Sequence, residues 1–337
     1  MKITKILAVL ASGLTLFFAS CGSSANIDGK DPDVAKGINA WNTREPEAAR
    51  AYWAEIKDSG LQKKYLGYID LFNAGNDAIE STDAIKATNE PKLLSACNTA
   101  LTKFSAIGEP LLQLPASVAE KGGQVTAVRI DNLLAAGKVS DASKMYKTAV
   151  KVYGNTADLE KAGKEVSVCE SIASKKSNLL AQASKAGEIE TFDEKVAAYK
   201  AVLDKCAAAE SEVNSLVKSS GVGDTNGVAS FAKTFKKVRQ DVAVQLEGAY
   251  RERVYAYKDQ IGEEFARQPS GTGSGKNGAF TQEDILGHYE SVQKNIDSIY
   301  AELMDFAAKH SANVSQDVLD DVEAQKKDLL AKIAQIK

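Results

Sequence analysis

Residues 270–278, SGTGSGKNG, place four glycines beside a lysine and raise the question of phosphate chemistry. A phosphate-gripping loop needs Gly, four residues, Gly-Lys, and then Ser or Thr to hold magnesium. Gly275 and Lys276 supply the centre, but Ser270 stands at the first glycine position and Asn277 at the hydroxyl position. Such a loop also leaves a buried strand, whereas this one leaves a long amphipathic run ending at Arg267-Gln268-Pro269. It reads as slack chain between two helices, where glycine needs no partner. The other reactive groups are sparse. The two histidines, His288 and His310, lack an HExxH partner or a Cys/Asp cluster at metal-binding spacing. The adjacent acids Glu263-Glu264 and Asp320-Asp321 point about 100° apart on a helix and cannot work as an acid–base pair. Cys97, Cys169 and Cys206 are odd in number, widely spaced and set in Ala-rich helical patterns, as small core residues would be. No Gly-x-Ser-x-Gly elbow occurs. The expectation is a protein without catalytic residues, metal or cofactor.

The N-terminus is more specific. Lys2 and Lys5 precede an apolar run from Ile6 to Phe18, followed by Ala19-Ser20-Cys21-Gly22. Thirteen helical residues span roughly 20 Å, short of a ~30 Å hydrocarbon core, so a cleaved export signal over 1–20 is expected rather than a membrane span. The cysteine at the cleavage point resembles the bacterial lipoprotein signal. Phe18 stands where that family prefers Leu, a departure shared with the relaxed signals of spirochaetes. The resemblance implies that Cys21 is acylated and becomes the mature N-terminus, anchoring the protein on the periplasmic or cell-surface side of a bacterial membrane. Each buried methylene contributes about 0.8 kcal/mol, and two or more chains give stable attachment. Residues 21–32 read as a flexible tether. Loss of Lys2 and Lys5 takes the formal net charge from -3 to -5, which gives no general attraction to nucleic acid.

The body reads as all-α. Its six prolines sit where helical patterns begin or break, and none falls between 116 and 268. The best strand candidate, GQVTAVRI at 123–130, also fits a helix. A short pattern recurs: a small residue, an aromatic four positions on, and a small or aliphatic residue three further. It appears at Ala49-Trp53-Ile56, Ala100-Phe104-Ile107 and Ala142-Tyr146-Ala149, and more weakly at Lys195-Tyr199-Val202. With Gly37 upstream of the first copy, this resembles the tetratricopeptide repeat, although the spacing is irregular and the Trp-Leu-Gly-Tyr signature is missing. The resemblance implies an irregular α-solenoid over 33–218 whose first helices line a concave groove. Mapped onto this chain, that groove would present Val34, Ile38 and Trp41, then Gln124, Ala127, Asp131 and Leu134.

SSGVGDTNG at 219–227 breaks this texture. Beyond it, apolar residues follow helical periods from Val228 to Phe265, from Ile285 to Phe306 in a 4-3 alternation, and from Val318 to Ile336. The expectation over 228–337 is an antiparallel bundle of long helices joined by a Gly/Ser-rich loop at 269–279. Together these features predict a lipid-anchored, non-catalytic scaffold for an envelope protein partner. The alternatives are a ligand-binding accessory of a transport system, which needs an enclosed pocket, and an enzyme acting on envelope polymer, which needs two carboxylates converging in a cleft.

Overall fold

The structure, a computed structural model, describes residues 31–85 and 89–337. The expected signal at 1–20, the lipidation residue Cys21 and the tether up to residue 30 lie outside the described residues. Every regular element described is helical: eleven α-helices and two short 3-10 turns, with no strand among the described residues. The all-α expectation holds, and GQVTAVRI lies inside a helix.

The chain forms two compact units. The first runs to Asn132 and resumes over Ser140–Gly163; the second takes Leu133–Val139 and Lys164–Lys337. The boundaries fall inside helices, at 132/133, 139/140 and 163/164, rather than at the break at 219–227, where the helices on either side pack on each other.

In the first unit, α1 (Pro32–Thr43) packs on α2 (Pro46–Ala54), α2 on α3 (Ser59–Glu80), and α3 on α4 (Glu90–Ser105). α5 (Ala116–Ala135) and α6 (Val139–Tyr153) follow. The starts obey simple chemistry. Asp31 accepts the Asp33 N–H at 3.0 Å, and Pro32 occupies a first-turn position that needs no donor. Between α5 and α6, Gly137 adopts φ +77°, with Lys138 N–H on Leu133 O and Gly137 N–H on Leu134 O, the left-handed stop that glycine makes cheaply.

The packing rule of this unit is a ring seated on a glycine. A Cβ on Gly37 of α1 would lie 2.0 Å from the Trp53 indole nitrogen of α2. On Gly75 of α3 it would lie 2.6 Å from the Phe104 ring of α4, and on Gly122 of α5, 2.4 Å from the Tyr153 ring of α6. Gly163, in the first turns of α7 (Ala157–Gly187), seats Tyr146 in the same way. The rings then touch one another. Trp53, Trp41, Phe72, Phe104 and Tyr153 form a continuous series with successive centroids 5.4 to 6.0 Å apart.

In the second unit, α8 (Phe192–Ser219) packs on α9 (Asn226–Ala266), and α9, α10 (Gln282–His310) and α11 (Gln316–Ile336) each pack on the other two. α9 has 41 residues, about 60 Å by the helical rise. The 4-3 stripe buries its Val292, Ile296, Leu303 and Phe306. One cluster joins Ile261, Val292, Ile296, Val322, Leu329 and Ile333; another joins Val254, Tyr257, Leu303, Phe306 and Val318. Ion pairs such as Lys326–Asp297 (2.6 Å) and Lys337–Glu290 (2.8 Å) border this core and contribute little by comparison.

The seats predict opposite signs for one substitution. Gly75→Ala should destabilise the first unit by about 1–3 kcal/mol through overpacking, despite a helix-propensity gain of up to ~1 kcal/mol. Gly67→Ala, on the same helix with nothing within 4 Å of the new methyl, should stabilise it by about 0.5–1 kcal/mol. Both tryptophans lie in the first unit, so tryptophan fluorescence during urea unfolding reads this unit alone.

Candidate functional site

α4 ends at Ser105 and α5 begins at Ala116; between them Glu109-Pro110 and Pro115 keep the backbone out of helix. This irregular segment is fastened to the end of α1. Trp41 Nε1 donates to Gln113 O at 2.6 Å. Asn42 donates through Nδ2 to Leu111 O at 2.6 Å and accepts the Gln113 N–H on Oδ1 at 3.0 Å. One side-chain amide thus satisfies a donor and an acceptor on alternate residues, as a neighbouring strand would. Glu109 turns inward, its side chain 10% exposed, accepting the Tyr65 hydroxyl at 3.3 Å with Lys64 at 3.9 Å. Burial first, and the Glu109 charge second, push the Tyr65 phenol above its usual range.

Under the segment lies a cleft of about 680 Å³. Phe104, Tyr153 and Trp41 form its buried floor, Leu112 and Leu114 a wall, and Gly108, Pro110, Lys151 and Gly154 its exposed mouth. The floor is rigid because two of its rings sit in glycine seats. Among the described residues Glu109 is the only carboxylate in the lining, and they assemble no carboxylate pair there; the cleft offers apolar contact, aromatic faces and backbone groups of non-helical chain.

The groove expected from the repeat-like mapping is only partly realised as surface. Val34, Ile38 and Trp41 are buried core residues, as is Leu134; Ala127 and Asp131 are half-buried, and Gln124 is exposed. Only Trp41 lines the cleft. No sequence pattern marks Asn42, Glu109 or Tyr153, although the two prolines of 108–115 mark the non-helical chain that forms the wall.

The second unit has its own polar cluster, where α8 begins and α10 ends. Phe192, Tyr250, Phe306 and His310 make mutual ring contacts of 5.0 to 6.2 Å. His310 Nδ1 is buried without a hydrogen-bond partner among the described residues. Burial, then Lys200 and Lys309, hold this imidazole below its ordinary value. Thr191 does not cap α8 as a Thr-x-x-Glu box would; its hydroxyl turns to the Glu194 carboxylate at 2.5 Å. His288 Nε2 lies 2.9 Å from Arg267 O, linking the end of α9 to α10.

The glycine-rich loop is not slack. Ser274 and Thr281 each direct their backbone N–H and their hydroxyl to a single oxygen of Asp284, all at 2.8 Å, and Thr281 accepts the Asp284 N–H in a capping box. The Thr281 and Ser274 amides, followed by their hydroxyls, hold this carboxyl well below the usual carboxylate range. The amides that could grip a phosphate already hold an internal anion. The three described cysteines are buried, and burial raises the Cys97 thiol to about 11, away from thiolate chemistry. Among the described residues no cluster of three or more His, Cys, Asp or Glu could hold a metal, and no helix is long and apolar enough to cross a membrane.

Comparison with protein-family models, with curated proteins and with solved structures finds no match for this chain.

Two outcomes follow from the geometry. Asn42→Ala should cost about 0.5–1.5 kcal/mol, since it breaks two exposed hydrogen bonds whose partners at Leu111 and Gln113 then turn to water, and should raise amide exchange across 106–115 while leaving α2 and α3 protected. The Asp284 carboxyl is depressed in the folded chain, so its contribution is present above its ordinary 3.8 and is lost as the pH falls below it. Amide chemical shifts of Ser274 and Thr281 should move together in that acid range, and Asp284→Asn should abolish the transition.

Proposed function

We propose that this protein is a lipid-anchored, non-catalytic helical scaffold that binds a protein partner at a bacterial envelope membrane. The anchor is Cys21, supported by the basic start, short apolar run and small residues before it. The likeness of the N-terminal helices to tetratricopeptide repeats is supported by the glycine of a first helix receiving the aromatic of a second, at Gly37 with Trp53 and at Gly75 with Phe104. These helices form an irregular solenoid, followed by an antiparallel bundle of α9, α10 and α11.

One observation carries the binding role: the cleft of about 680 Å³ beneath residues 106–115. Its floor is aromatic and held by packed helices, which suits it to bind without rearrangement. Its mouth is exposed rather than closed over, so it fits an extended segment of another chain better than an enclosed small molecule.

Gly108 gives a specific test. It lines the cleft, and a Cβ there meets nothing within 4 Å. A photoreactive amino acid at 108 should crosslink one dominant envelope protein in intact cells, and Gly108→Trp should abolish that protein's recovery in a pull-down without changing the unfolding midpoint. Crosslinks spread over many proteins, or undiminished recovery with Gly108→Trp, contradict the binding role. The anchor is tested separately: a radioactive fatty acid should label the wild type and not Cys21→Ala.

A further inference from the structure

The C-terminal unit contains a second cleft, of about 430 Å³, between the start of α8 and the last turns of α10, with α9 beneath. Its inner wall is aromatic: the Phe306 ring lies 5.3 Å from Phe192 and 5.8 Å from Tyr257. Arg253 of α9 lies half-buried on this wall, its guanidinium 4.6 Å from the Tyr257 ring centroid and 5.9 Å from that of Phe192.

The arginine is oddly idle. Asp193, Glu302 and Asp305 line the same cleft, yet among the described residues Arg253 forms no ion pair, and its one side-chain hydrogen bond is a 3.5 Å contact to the Tyr257 hydroxyl. A guanidinium carries five donors in a planar fork that matches a carboxylate, and at this half-buried position the protein leaves most of them open to a ligand. Neighbouring aromatic rings hold this fork in place, ready for an anion from outside.

The charges of the lining decide what kind of anion fits. Glu302 and Asp305 sit three residues apart on one face of α10, where they reinforce each other's attraction for a cation. Lys309 is at the rim. A purely anionic ligand meets the repulsion of three carboxylates; a purely cationic one meets Arg253. A ligand with both charges satisfies both sides.

We propose that this cleft binds a short zwitterionic peptide, with its terminal carboxylate on the Arg253 fork, an apolar or aromatic side chain on Phe192 and Phe306, and an ammonium group on Glu302 and Asp305. The volume stands at the small end of ligand pockets and suits two or three residues. The site is independent of the partner-binding role of the N-terminal unit; either stands without the other.

Calorimetric titration of the full chain with lysyl-phenylalanine at neutral pH and low salt tests this. The dipeptide should bind. Its C-terminal amide, and its form with both amines acetylated, should each bind at least about tenfold more weakly, the scale of a lost charge-assisted hydrogen bond. Free phenylalanine should bind more weakly than the dipeptide, which separates a peptide end from an amino acid. Arg253→Gln should weaken the dipeptide about tenfold or more, and Arg253→Lys, which keeps the charge and loses the fork, should fall between. Glu302→Gln, at an exposed position, should weaken the dipeptide with no change in thermal unfolding. No dipeptide binding, equal affinity for the amide, free phenylalanine as tight as the dipeptide, or undiminished binding in a folded Arg253→Gln chain overturns the proposal.

Discussion

An aromatic ring resting where a helix has no side chain is the contact on which the N-terminal unit depends. Each seat trades a helix-propensity cost of ~0.5–1 kcal/mol for close approach of two helices around a buried ring. Deleting such a ring typically costs about 3–5 kcal/mol, so the exchange is favourable by a wide margin. Because Trp53, Phe104 and Tyr153 also belong to one series of touching rings, each glycine positions more than its own partner. Interiors packed in this way are stiff, since a shift at one ring is resisted by the next.

That stiffness explains where binding surface can exist. The seats at Gly75 and Gly122 hold Phe104 and Tyr153 as a fixed floor, while the backbone of 106–115, kept non-helical by its prolines, is pinned above by Trp41 and Asn42. Rigid aromatic faces and available backbone groups are what an extended partner segment recognises. The C-terminal unit solves its packing differently, with long apolar stripes on α9, α10 and α11 that close two clusters. There the rings gather at one end, around Phe306, and leave an arginine and several carboxylates on their rim.

How far the sequence reveals this depends on the range of each interaction. Helices, their proline starts and the 4-3 stripe are local patterns and are legible. The seat of Trp53 on Gly37 is legible too, because only a tight turn separates α1 from α2. The seats at Gly75 and Gly122 are not: Phe104 lies across the longer connection from α3 to α4, Tyr153 lies seven residues beyond the Tyr146 that the recurring pattern marks, and glycine inside a helix has no signature of its partner. An apolar stripe cannot tell core from groove, which is why Val34 and Ile38, expected at a binding surface, are buried against neighbouring helices. The glycine loop misleads in the opposite sense. Its composition suggests slack, whereas Ser274 folds back ten residues onto Asp284, a contact set by tertiary geometry.

The most direct measurement is a double-mutant cycle on Gly75→Ala and Phe104→Leu, read by tryptophan fluorescence during urea unfolding. If the ring's occupation of the seat is what forbids a side chain, the methyl's cost should fall by more than about 1 kcal/mol once Leu replaces the ring. Costs that add within about 0.5 kcal/mol would contradict the central role of the seat.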